Sequence, residues 1–160
     1  LGCNTIGHLG AGLMHLNRTG DDTSGRIWER SRKMGVNTLA FRLPQHGAFY
    51  DVDADCVGIN GSIPWEKNRQ WAEVIARSGT PLFLSVKPGI LKKEEEEELR
   101  SIMKIASEQK QHMIPMDWED IDCPEVWSDG KQTVTYDWYE EAGPVLSAAT
   151  ERFNAPLAVP

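Results

Sequence analysis

The stretch that decides the fold is LMHLNRTGDDTSGR, residues 13–26. Its first four residues are mostly apolar, and an arginine and two adjacent acids, Asp21 and Asp22, follow them closely. A helix-like spacing of apolar residues begins directly afterwards. In α/β folds, a buried strand that ends in charged groups just before a helix is where the chemistry is placed. We therefore predict a strand over residues 13–18 and take Asp22 as a candidate proton donor.

Outward from this stretch, strand and helix patterns alternate. Helical spacing predicts helices over residues 24–35, 63–78 and 92–108, with Ser24 and Ser62 as N-caps of the first two and Gly35 ending the first. Strand patterns cover residues 49–57 and 81–85, and the second is a continuous apolar run typical of a strand covered on both faces. Residues 36–41 fit a strand or a helix. The alternation predicts an α/β fold with a parallel sheet and helical cover.

The pattern changes after residue 112. Tryptophans, prolines and the turn at residues 128–131 replace the long helical patterns, and residues 132–136 are strand-like. We therefore divide the chain into residues 1–112, with alternating strands and helices, and residues 113–160, a small β-rich segment.

Composition excludes several classes of function. The 160 residues are enough for one domain with a core but too few for a complete eight-fold βα barrel, which needs about 250. The net charge of −7, without a basic patch, argues against nucleic acid as a partner. No apolar run approaches the roughly 20 residues of a membrane span. The chain opens without Met or a signal pattern, which suggests a fragment or a processed chain and leaves a cytoplasmic or secreted location open.

The cysteines and acids do not form a recognisable metal motif. The three cysteines are too few and too scattered for a disulfide framework or a zinc site, so we expect reduced, buried thiols at Cys3, Cys56 and Cys123. Asp51, Asp53 and Asp55 alternate, but Cys56 stands where a calcium loop of the EF-hand type needs glycine. The three acids share one strand face and form either a solvated strand end or the floor of a polar pocket. We predict no metal and no organic cofactor.

Four segments match, in order, the strand ends of one enzyme family. LGCN at residues 1–4 is similar to a Leu-Gly-Cys segment at the end of that family's fifth barrel strand, and RTGDD at residues 18–22 to an Arg-x-Gly-x-Asp segment at the sixth. DADC at residues 53–56 is similar to the Asp-Pro-Asp-Cys of the seventh strand, and SGTPLFLS at residues 78–85 to the Ser-Gly-x-Pro-x-x-x-Ser of the eighth. The chain thus resembles the C-terminal half of the catalytic barrel of melibiase-type α-galactosidases, the glycoside hydrolase clan of families 27 and 36.

The resemblance implies a fold, a mechanism and a set of site residues. Residues 1–112 would be the C-terminal part of a TIM (β/α)8 barrel, and the β-rich segment part of a following antiparallel domain. One carboxylate attacks the anomeric carbon, and a second protonates the leaving oxygen and later activates water. By the same resemblance Asp22 is the acid/base and Arg18 contacts the substrate, with further binding candidates at Cys3, Asp21, Asp53 and Asp55. The family's nucleophile lies on the fourth strand, so the partner would be the N-terminal half of the barrel.

Three hypotheses about function follow. The first is part of a retaining α-glycosidase that hydrolyses terminal α-galactosides or related sugars. The second is a non-catalytic carbohydrate-binding or structural piece of a barrel, which holds sugar through tryptophan and carboxylate side chains without cleaving it. In the third, Asp21 and Asp22 merely cap the helix predicted to begin near Ser24.

Overall fold

The computed structural model describes residues 10–23 and 25–139, and they form a mixed α/β fold. Strand β1 (Leu16–Arg18) pairs in parallel with β2 (Asp51–Asp53), and β3 (Cys56–Ile59) pairs in parallel with β4 (Phe83–Val86). In sequence, Ala54 and Asp55 separate β2 from β3. The parallel pairing agrees with the predicted α/β class. Within the described residues the strands form small sheets that do not close into a barrel.

A continuous helical segment follows β1. It consists of α1 (Trp28–Ser31), a π-helical stretch (Arg32–Asn37), α2 (Thr38–Arg42) and a 3-10 turn (Leu43–Gln45). The predicted helix over residues 24–35 is therefore wrong at both ends, and the undecided segment 36–41 is helical. The N-cap of α1 is Ile27, with no hydrogen bond from its side chain. Gly35 does not end the helix, because it is the position where the helix meets Trp71: an added Cβ would lie 2.6 Å from that indole.

The two longer helices lie close to their predicted positions. Helix α3 covers Trp65–Ser78 and ends at Gly79 in the left-handed conformation, as predicted. Its N-cap is Pro64 rather than Ser62. Helix α4 covers Lys93–Glu108, and the carboxylate of Glu95 accepts a hydrogen bond from the backbone N–H of Lys92 at 2.8 Å. No helix in the part of the chain that the structure describes is long and apolar enough to cross a membrane.

Strand β4 is not covered on both faces, contrary to the prediction. Phe83 and Val86 are each about two-fifths exposed, and Ser85 is exposed as well. The apolar run in the sequence thus marks a strand whose side chains are exposed on both faces in the part of the chain described. The strand predicted over residues 49–57 is also interrupted, because Asp55 adopts a φ of +74°, a conformation that extended strands do not contain.

The β-rich segment is a three-stranded antiparallel sheet in the described range. Its strands are β5 (Ile114–Pro115), β6 (Val126–Ser128) and β7 (Thr133–Thr135), in the order β5-β6-β7. The segment packs on the helices: the indole N–H of Trp28 donates to the carbonyl of Trp138 at 3.0 Å. Lys67 on α3 donates to the carbonyl of Asp137 at 2.7 Å. Buried apolar residues from both parts form one hydrophobic cluster.

Candidate functional site

The polar candidate site is a cleft beside the segments that follow β1 and β2. It has a volume of about 440 Å³. The loop after β1 contributes Asp22 and Thr23, the ends of β3 and β4 contribute Asn60 and Lys87, and Asp55 lies between β2 and β3. Because neighbouring parallel strands end at the same edge of a sheet, residues far apart in the sequence meet here.

Arg18 is the cation that contacts two acids of this site, while Lys87 lines the cleft itself. Its Nη1 lies 2.6 Å from Oδ1 of Asp22 and 3.5 Å from Oδ1 of Asp55. Burial would lower the pKa of Arg18, but the charges of Asp55 and Asp22 and their hydrogen bonds outweigh it and raise that pKa. The side chain of Asp22 is 65% exposed, whereas that of Arg18 is only 22% exposed. The arrangement therefore fixes one carboxylate oxygen of Asp22 against a guanidinium while leaving the group open to a ligand.

Asp55 ties the loop after β1 to the turn between β2 and β3. Its Oδ2 accepts hydrogen bonds from the backbone N–H of Thr23 at 2.7 Å and from the Thr23 hydroxyl at 3.0 Å. Burial acts to raise the pKa of Asp55, but hydrogen bonds from Thr23 and the Cys56 backbone and the charge of Arg18 together lower it. Asp55 is therefore a charged anchor of the cleft wall.

Asp53 and Asp21 lie beside this anchor in different surroundings. Oδ1 of Asp53 accepts the backbone N–H of Asp55 at 2.8 Å, and burial, aided by the nearby Asp55 charge, raises the pKa of Asp53. The carboxylate of Asp21 lies 2.8 Å from Nη2 of Arg30 on α1. Its other oxygen accepts the backbone N–H of Asp22 at 2.8 Å. These acids thus contact neighbouring protein groups at the rim of the same site.

The structure brings together most of the residues predicted from the sequence. Arg18, Asp22 and Asp55 are in contact, and Asp53 and Asp21 are each one hydrogen bond away from them. Cys3 lies outside the described residues. Of the three acids that alternate along the strand, Asp51 is at the opposite end of β2 and pairs in register with Leu16.

Neither Asp21 nor Asp22 caps the helix that follows. Helix α1 begins at Trp28, and its N-cap is Ile27. The two acids instead contact Arg30 and Arg18 through their carboxylates. The observed contacts therefore disagree with the helix-cap hypothesis.

Several residues that line the cleft were not among the site residues predicted from the sequence. Thr23 is one, although its position next to Asp22 in the motif was a usable signal. Gly25 and Gly58 form another unpredicted pair: a Cβ built on Gly25 would lie 2.7 Å from the Cα of Gly58. The loop after β1 can lie directly on β3 because both positions lack a side chain. Asn60, Ser85, Val86 and Lys87 also line the cleft, and only the fold reveals them. Cys56 completes the lining.

The chain matches no model of a known protein family and no curated protein sequence. Function is therefore inferred from the order of the four sequence segments and from the geometry of the cleft. Among the residues that the structure describes, no group of three or more histidine, cysteine or acidic side chains could hold a metal ion. The cleft presents the carboxylates of Asp22 and Asp55 together with the side chains of Cys56 and Lys87, and the Arg18 guanidinium contacts both carboxylates.

Proposed function

We propose that this chain is the part of a retaining α-glycosidase that carries the acid/base carboxylate, with terminal α-galactosides or related α-linked sugars as substrates. The observation that carries the proposal is the contact between Asp22 and Arg18, 2.6 Å apart in an open cleft. An acid/base must reach the substrate and hold a defined position. An exposed carboxylate with one oxygen held by an arginine meets both requirements.

The proposed fold is the C-terminal part of a (β/α)8 barrel. Two features support it: β1 and β2 are parallel with a helical segment between them, and β3 and β4 are parallel with α3 between them. In the part of the chain described, β4 pairs along one edge only, with β3. Its other edge is consistent with a further strand from the N-terminal half of the barrel, which is the partner that the resemblance implies. Barrel enzymes carry their catalytic residues after the carboxyl ends of the strands, where Asp22 lies.

In the proposed mechanism, Asp22 works in two steps. A carboxylate from the N-terminal half of the barrel attacks the anomeric carbon while protonated Asp22 gives its proton to the departing glycosidic oxygen. Asp22, now a carboxylate, then takes a proton from water as that water attacks the glycosyl-enzyme. Arg18 holds the side chain of Asp22 in place during both steps through its contact with Oδ1. This mechanism requires no metal or organic cofactor.

The substitution Asp22→Asn in the full-length protein tests the assignment. We expect turnover of an unactivated α-galactoside to fall by roughly 10²–10⁴-fold, the usual contribution of general acid–base catalysis. Added azide should restore turnover of an aryl galactoside with an activated leaving group, because azide attacks the glycosyl-enzyme without a general base. Asp51→Asn is the control, since Asp51 is an exposed acid at the other end of β2.

Near wild-type turnover by Asp22→Asn would refute this role. Sugar binding by a full-length wild-type protein that never hydrolyses α-glycosides would favour the non-catalytic carbohydrate-binding alternative.

A further inference from the structure

We infer that Arg30 is a positioning residue for Asp22, acting through Asp21 and through the backbone. The inference rests on the proposed function, because it concerns the geometry of the proposed acid/base. Arg30 was not a candidate in the sequence, where it is one of several charged residues in the first helical pattern.

One ion pair holds both sides of the Asp22 backbone. Nη2 of Arg30 lies 2.8 Å from Oδ2 of Asp21, and the other oxygen of that carboxylate accepts the N–H of Asp22 at 2.8 Å. Nε of Arg30 donates to the carbonyl oxygen of Asp22 at 2.5 Å. The N–H and the C=O of Asp22 are therefore both bound by the Arg30–Asp21 pair.

The next residue is held from the same helix. The hydroxyl of Ser31, which is adjacent to Arg30 on α1, donates to the carbonyl of Thr23 at 3.1 Å. The N–H of Thr23 donates to Asp55 at 2.7 Å. The backbone N–H and C=O groups of Asp22 and Thr23 are thus all hydrogen-bonded. Arg30 and Ser31 of α1, together with Asp21, bind three of them, and Asp55 in the turn after β2 binds the fourth. This binding holds the backbone of Asp22, whereas Arg18 contacts its largely exposed side chain.

Such positioning matters for proton transfer. A general acid must lie within about 2.6–3.2 Å of the atom it protonates, and a displacement of about 1 Å can reduce a rate by about 10²-fold. The side chains of Arg30 and Asp21 are 24% and 42% exposed, so the pair is partly shielded from solvent but is not part of the hydrophobic core. Its removal should loosen the loop without unfolding the protein.

The test compares Arg30→Gln with Arg26→Gln in the full-length protein, because Arg26 is an exposed arginine of the same segment. For Arg30→Gln we expect a loss of about 10–100-fold in kcat on an unactivated α-galactoside. The loss on an activated aryl α-galactoside, whose departure needs little proton donation, should be much smaller. Arg30→Lys should recover part of the lost activity, and Arg26→Gln should behave as wild type on both substrates.

Amide hydrogen exchange adds a readout that does not depend on activity. In Arg30→Gln the N–H of Asp22 should exchange several-fold faster than in wild type, while the thermal midpoint stays close to that of Arg26→Gln. Equal losses on the two substrates together with a lowered midpoint would mean a merely structural role and overturn the inference. Unchanged kinetics and exchange would overturn it while leaving the proposed function intact. A wild-type protein without α-glycosidase activity would instead overturn the proposed function, and the catalytic meaning of Arg30 with it.

Discussion

At the scale of single residues, the pairing of Arg18 with Asp22 is a contact that the sequence could predict, and the pairing of Asp55 with Thr23 is not. The first pair lies within one motif, four residues apart, where the chain itself keeps the partners close. The second joins residues 32 positions apart and depends on the left-handed conformation of Asp55, which only the assembled strands impose. The sequence therefore predicted acids that the structure brings together, but not the contacts that Thr23 makes with one of them.

Asp55→Asn should lower stability at neutral pH by about 1–3 kcal/mol, because a charged acceptor of two Thr23 hydrogen bonds is lost. The pKa of Asp55 is lower in the folded protein than its ordinary value, so its charge stabilises the fold above the unfolded-state pKa. That contribution disappears as the pH falls through the folded-state pKa. Urea unfolding at several pH values should show the difference from wild type narrowing on acidification. A difference that is constant with pH would contradict the account.

At the scale of elements, Gly35 shows why the first helix was predicted to end too early. Sequence patterns associate a glycine after a helical run with a helix end. Here the glycine lies inside the π-helical stretch, and the absence of a side chain lets the helix approach Trp71 on α3. By contrast, Gly79 ends α3 with a φ of +82°, and an added Cβ there would lie 2.5 Å from the ring of His112 rather than against a helix. Glycine thus lies inside one helix and ends another, and the local sequence does not distinguish these two positions.

Gly35→Ala should destabilise the protein by about 1–3 kcal/mol, because the new methyl group would overlap the indole of Trp71. Helix propensity alone predicts the opposite sign, a gain of up to about 1 kcal/mol. Chemical denaturation measures the sign directly. Ser107→Ala on the exposed face of α4 is a suitable control, where no loss is expected. Stabilisation by Gly35→Ala would show that the helix contact is looser than described.

At the scale of the whole molecule, the change in sequence style at residue 112 corresponds to a change from parallel to antiparallel strands. The composition change was visible in the sequence. The contacts that join the two parts were not, because they depend on buried pairs such as Trp28 with the Trp138 carbonyl and Lys67 with the Asp137 carbonyl. The ring of Trp138 also lies against that of Trp28 on α1, with centroids 6.1 Å apart.

Trp138→Ala should therefore destabilise the whole chain rather than the β-rich segment alone. The indole is fully buried and its removal should cost about 3–5 kcal/mol. Unfolding followed by far-UV circular dichroism and by tryptophan fluorescence should shift together. Trp118→Ala is the matched control, because Trp118 is about half exposed and should cost much less. Separate transitions for the two probes would indicate two independent units.

We propose that the full-length protein hydrolyses α-galactosides with retention of configuration, using Asp22 as its acid/base. The most direct measurement is proton NMR of the anomeric signal during the first minutes of hydrolysis of an α-galactoside, before mutarotation. We expect the α-anomer of the free sugar to appear first, because two displacements at the anomeric carbon restore the original configuration. First appearance of the β-anomer, or no hydrolysis at all, would contradict it.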